Sequence, residues 1–209
     1  MALANYDNLF ESIVKWSHRN DVDLLIPDFI AMAENEMFGN DQEVLKTRAM
    51  EVTTTQAAIA DTRLNPLPSD FLYNRRVRLD IGSGDNGELT YRAPEQMIIQ
   101  GASGRPRFFT ITDQLEFDRV PDSTYTIEFT YYARPAALTV SNQTNVIITN
   151  HPEIYLYGAL HQLFLYAVDE AEASKWAAKF FQAIKGANKK DKKGRFGPAP
   201  SMRVEGCTP

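Results

Sequence analysis

Three histidines, one cysteine, a glycine-rich hexapeptide and a run of lysines are the residues of this 209-residue chain whose types could do chemistry. His18, His151 and His161 lie far apart, without HExxH or HxH spacing, and Cys207 has no second thiol to pair with. Spacing therefore composes neither a zinc site nor an intrachain disulfide. Gly82-Ser-Gly-Asp-Asn-Gly87 has the glycine content of a phosphate loop but lacks the Lys-Ser or Lys-Thr that would reach phosphate and magnesium, so it reads as a turn. Carboxylates are plentiful, yet no pair is marked out by the apolar setting that acid–base hydrolysis of a glycoside needs. No catalytic residue, metal ligand or cofactor is expected. The chain reads as a non-enzyme.

The lysine run leaves an electrostatic role. Lys185, Lys189, Lys190, Lys192, Lys193, Arg195 and Arg203 face only Asp191 and Glu205 from Phe181 onward, a net +5 that leaves −10 on the first 180 residues, given −5 for the whole chain. A basic end on an acidic body points to an acidic partner, protein or nucleic acid. Gly186, Gly194, Gly197, Pro198, Pro200 and Gly206 predict that helix fades in this region, leaving 190–209 as an extended arm. Lys189, Lys190, Lys192, Lys193, Arg195 and Arg203 would be attracted to an acidic surface, and Phe196, Met202 and Val204 would anchor the arm. A solvated tail is the plain alternative.

These residues must be positioned by elements that periodicity makes visible. Tyr6, Leu9, Phe10, Ile13 and Val14 form one apolar stripe of a helix over about 5–18. A second helix opens near Pro27, ends at Phe38 before Gly39, and turns Ile26, Phe29, Ile30, Ala33 and Met37 inward. His151-Pro152-Glu153 starts a third, apolar on nearly every face from Ile154 to Val168 and hence central. Asp169 with Glu172 resembles a capping box for a last helix, whose stripe is Ala173, Trp176, Ala177, Phe180 and Ile184. His151 reads as a cap or surface residue and His161 as a hydrogen-bonded core residue. Gly158, inside an apolar helix, implies close approach of another helix.

Between the helices, 48–134 reads as β structure: Thr53-Thr-Thr, Val77–Ile81, Arg107–Thr112, Gln114–Asp118 and Thr124–Tyr132 are β-branched or aromatic. In the last of these Tyr125, Ile127, Phe129 and Tyr131 share a face that should be buried, and Thr126, Glu128, Thr130 and Tyr132 share the other. Tyr132 is the candidate for cover by a neighbouring subunit. The expected fold class is α+β: a four-helix bundle from the two chain ends (1–47 and 135–189), an inserted antiparallel β domain (48–134), and the arm 190–209. The start Met1-Ala-Leu-Ala-Asn has no basic or apolar leader and no run nears the roughly 18 apolar residues of a membrane span, so neither export nor membrane insertion is expected.

Five segments in order carry a family resemblance: Leu67-Pro-Ser-Asp-Phe71, Leu89–Met97, Gly104–Ile111, Tyr125–Arg134 and His151–Leu160. Together they resemble the head–tail adaptor (connector) proteins of short-tailed phages, from about Leu25 to Ile184. The resemblance implies a structural virion protein of the neck, made in the bacterial cytoplasm. It would form a ring, a dodecamer, that joins the portal protein to tail nozzle or tail fibre proteins around the channel through which DNA is ejected. It implies one layer of helices, one of β structure, and no catalytic motif. Two other readings remain open on the residues alone: a nucleic-acid-binding protein using Lys189–Lys193, through counterion release from phosphates, and a cell-wall hydrolase.

Overall fold

The computed structural model describes residues 3–19, 21–40, 43–59, 61–80 and 87–196, with the side chain of residue 196 left aside. It is an α+β structure of two units, one comprising Met1–Ala49 with Pro135–Pro209 and the other Met50–Arg134. Among the described residues the first unit holds five α-helices: α1 Tyr6–Ser17, α2 Ile26–Gly39, α3 Val146–Asn150, α4 Pro152–Tyr166 and α5 Glu170–Phe196. The second holds eight strands: β1 Glu51–Ala57, β2 Leu64–Asn65, β3 Phe71–Asp80, β4 Gly87–Glu88, β5 Thr90–Tyr91, β6 Phe108–Ile111, β7 Leu115–Phe117 and β8 Thr126–Ala133.

The helices start where a side chain meets a free N–H group or a proline removes one. Asn5 caps α1 by accepting from the N–H of Asn8 at 2.9 Å, and Pro27 and Pro152 occupy first-turn positions of α2 and α4, where no N–H is missed. Asp169 accepts from the N–H of Glu172 at 3.1 Å ahead of α5, as its position as a cap requires. The stripes land inward: Leu9 and Ile13, then Ile26, Phe29, Ile30, Ala33 and Met37, then Ala173, Trp176, Phe180 and Ile184 are all buried.

Helix α4 is the hub, packing against α1, α2, α3 and α5. Gly158 permits this crowding. A methyl group built there would lie 2.8 Å from the Phe180 ring of α5 and 2.9 Å from the Ala33 methyl of α2, closer than carbon atoms approach. Against α2 the packing is also polar. Glu34, buried, accepts from the Tyr155 hydroxyl at 2.8 Å and from the Leu138 N–H at 2.9 Å. The Tyr155 oxygen in turn accepts from Asn145 Nδ2 at 2.7 Å, and the Asn145 carbonyl caps α3 through the N–H groups of Ile147 and Ile148. One chain of hydrogen bonds thus fastens the connection 135–145 onto α2 and α4. The short helix α3 that follows that connection was not foreseen; five residues give periodicity too little to act on.

In the second unit, one sheet runs β1-β8-β3-β4, all antiparallel. The other runs β2-β7-β6-β5, with β5 parallel to β6. Val77, Leu79, Phe109, Phe117, Ile127, Phe129 and Tyr131 form their common core. The expected inner face of β8 is buried at Ile127, Phe129 and Tyr131; of the outer face Thr130 is buried too, its hydroxyl 3.0 Å from that of Thr53 on β1. Burial first, and the 2.8 Å hydrogen bond it donates to Asp70 second, push the Tyr131 hydroxyl up to about 12. Pro68 accepts from the N–H of Phe71 at 3.0 Å, the turn that launches β3. Asp118, buried, accepts from the N–H groups of Arg107 and Phe108 and so fixes the entry to β6.

Two substitutions probe the hub. Gly158→Ala gains about 1 kcal/mol of helix propensity but overfills a contact with α2 and α5, and the variant is expected to lose about 1–3 kcal/mol overall in urea unfolding. Glu34→Ala strips partners from the Tyr155 hydroxyl and the Leu138 N–H. Its expected cost is about 2–4 kcal/mol, read as a lowered midpoint with the denaturant slope unchanged.

Candidate functional site

The basic segment is not an arm where it is described. Helix α5 runs without a break through Gly186 and Gly194 to Phe196, so the expected extended arm 190–209 is corrected over 190–196. Each interior glycine costs about 1 kcal/mol against alanine. Tertiary contacts offset it. Ala187 and Asn188 are buried, and Asn188 holds the segment 43–46: its Oδ1 accepts from the Lys46 N–H at 2.9 Å, and its Nδ2 donates to the Val44 carbonyl and to Glu43 Oε1, both at 2.8 Å.

One turn further, Asp191 makes a second fastening. It accepts from the Arg48 N–H at 3.0 Å, from Arg48 Nε at 3.1 Å and from Arg195 Nε at 3.0 Å, while its own side chain is 11% exposed. Burial pushes this carboxyl upward, but the hydrogen bonds from the Arg48 backbone, Arg195 and the Arg48 side chain outweigh it and hold it below its ordinary value. Gly194 has a use here as well, since a methyl group at that position would sit 3.1 Å from an Arg48 terminal nitrogen. The guanidinium lies over the space that glycine leaves.

Ala187, Asn188, Asp191 and Arg195 are turned to the chain, and the lysines lie on the other side of the helix. Lys185, Lys189, Lys190, Lys192 and Lys193 are exposed, and none has an ion pair among the described residues. At about 100° per residue, Lys185, Lys189, Lys192 and Lys193 fall within an arc of about 100°, with Lys190 on its flank. They form a rigid ridge of positive charge on a helix whose cations outnumber its acids by eight to three. Nearer its start, α5 keeps its cations at home: Lys175 pairs with Glu172 at 2.9 Å, and Lys179 lies 4.6 Å from the Trp176 ring centre.

The structure thus brings together Lys189, Lys190, Lys192, Lys193 and Arg195, with Arg195 turned inward to Asp191. Phe196 closes the helix. Met202, Arg203 and Val204 lie outside the described residues. Tyr132 is half-buried and has partners within its own chain, standing opposite Glu51 on β1 and Tyr73 on β3. Sequence reading missed Asn188, Asp191 and Arg48 as the residues that shape the site. The signal was present in the spacing: Ile184, Ala187, Asn188, Asp191 and Arg195 continue the inward stripe of α5.

His151 stands between α3 and α4 without a capping side-chain bond, its Nδ1 3.4 Å from Glu153. His161 Nδ1 bonds the Ala173 carbonyl at 3.0 Å, joining α4 to α5. Among the described residues no three His, Cys, Asp or Glu side chains are placed to hold a metal ion, and no helix is long and apolar enough to cross a membrane.

A family model described as SU10 adaptor protein matches residues 4–203, a span that takes in every helix and strand above. No curated protein matches the chain.

Because the folded carboxyl of Asp191 lies below its unfolded value, its contribution is complete above the unfolded value of about 3.9 and fades as pH falls through the folded one. Asp191→Asn is therefore expected to be less stable than the parent at pH 7, with the gap closing as pH falls below about 4. Thermal unfolding of both proteins across that range checks it; a gap that stays constant contradicts it.

Proposed function

The chain belongs to the SU10 adaptor protein family, a family of phage adaptor proteins, and on that premise we propose that it is a non-enzymatic virion protein forming a ring that joins the portal to the tail around the DNA channel. The observation that carries the reading beyond the family is the lysine ridge of α5, rigid, exposed and without ion pairs among the described residues. Such a ridge on an acidic body offers complementary charge to an acidic ring surface above it, which favours encounter and fixes register. We read α1, α2, α4 and α5 as a four-helix bundle around α4, which holds that ridge to a fixed line. The portal is the partner on this side, and tail nozzle or fibre proteins are the partners on the other.

A duplex also attracts lysines, and five of them would give a steep salt dependence. The net −10 of the first 180 residues opposes that, since a channel-lining ring must let DNA slide past it. Any contact with DNA in this reading is weak and independent of sequence.

Reversing Lys189, Lys192 and Lys193 together to Glu is expected to abolish capture on purified portal rings while leaving the unfolding midpoint within a few degrees of the parent. Light scattering of the parent with portal should report a closed ring of many copies. Retained capture by the triple variant, or a parent that stays monomeric beside the portal at high concentration, overturns the proposal.

A further inference from the structure

One lysine of the ridge differs from the rest by its surroundings. Lys190, on the flank of the arc, lines a pocket of about 280 Å³ together with Thr47, Arg48, Asn150, His151 and Asp191. The other four lysines are not among its walls. Asp191 supplies the acidic wall, yet both of its oxygens are taken, one by the Arg48 backbone and Nε and the other by Arg195. Its charge is thus met within the protein. The Arg48 side chain is nevertheless 58% exposed, because Nε alone faces Asp191. Counting the charged walls Arg48, Lys190 and Asp191, the pocket carries one surplus positive charge, and the Lys190 ammonium has no acceptor among the described residues. His151 turns its Nδ1 to Glu153 at 3.4 Å, outside the pocket's walls.

We propose that this pocket receives a single carboxylate side chain, Asp or Glu, of the portal-side partner, and that Lys190 and Arg48 hold it; the inference rests on the adaptor reading above. Guanidinium and ammonium groups side by side suit a carboxylate, which can take a forked bond from the first and a point contact from the second. A volume of about 280 Å³ admits a side chain; it lies at the lower limit of sites that enclose whole small molecules, roughly 300–1,000 Å³. A duplex would bring a continuous line of phosphates against an acidic body, whereas one inserted carboxylate meets only the local surplus. An ion pair in a concavity is screened less than one on an open ridge, so one lysine should dominate its neighbours.

The test compares four single variants of the full chain, Lys189→Ala, Lys190→Ala, Lys192→Ala and Lys193→Ala, in capture on portal rings, with the unfolding midpoint of each as a check of fold. Lys190→Ala is expected to weaken capture about tenfold, and each of the others about twofold or less. Portal whose surface carboxylates have been amidated with carbodiimide and glycinamide should bind parent and Lys190→Ala equally weakly. Equal small losses from all four variants overturn the pocket and leave the ridge standing. A Lys190 effect that persists on amidated portal, or that appears on duplex DNA instead, overturns the carboxylate assignment. If none of the four, and not even the triple reversal, changes capture, it is the adaptor reading that fails.

Discussion

A helix apolar on nearly every face is stable only among other helices, and α4 imposes that constraint on the first unit. Of its fifteen residues, from Pro152 to Tyr166, only Leu165 and Tyr166 at its end are exposed, so α1, α2 and α5 must enclose the rest. The approach is close enough that position 158 can carry no side chain at all. Where the enclosure meets a polar group it satisfies it, through Glu34, Tyr155 and Asn145, and in doing so pins the returning connection. The position of α5, and with it every lysine on its outer face, follows from what α4 requires.

A rigid ridge and a loose arm are different instruments for binding. An arm loses about 1–2 kcal/mol of backbone entropy for every residue it orders on a partner. In α5 that loss has been met in folding, by Asn188 and Asp191 holding the segment 43–48. The lysines are therefore presented in fixed register, and a partner meets their charge without having to order their backbone. The same two side chains turn a stretch rich in glycine and lysine, weak in intrinsic helix preference, into the end of a 27-residue helix.

How much of this was legible in the sequence depends on the range of the forces involved. The four long helices, the buried face of β8 and the close contact at Gly158 follow from periodicity and local sterics, which a single stretch of chain carries. The strands of two residues, β2, β4 and β5, carry no period and are defined only by their partners. The course of α5 beyond Lys189 was misjudged because Gly186 and Gly194 weigh locally against helix, whereas the contacts that override them come from residues more than 140 positions away. The basic residues of the site could be named from composition; the pocket that separates Lys190 from its neighbours depends on Arg48 and His151, which only the fold brings near.

The first and last strands of the second unit are neighbours, β1 paired with β8 from Glu51 opposite Tyr132 to Ala57 opposite Thr126. The insertion therefore closes on itself at its own base. Seen from the helices, residues 50–134 are a loop whose closure would cost on the order of 4 kcal/mol if it were a free chain of that length. Once β1 has zipped against β8, the two points of departure are held about one strand spacing apart and most of that cost vanishes. A β unit that forms early thus serves as a short hairpin connection for the helical chain. In evolutionary terms, the span between those two points could lengthen, shorten or be exchanged without asking the helices to change.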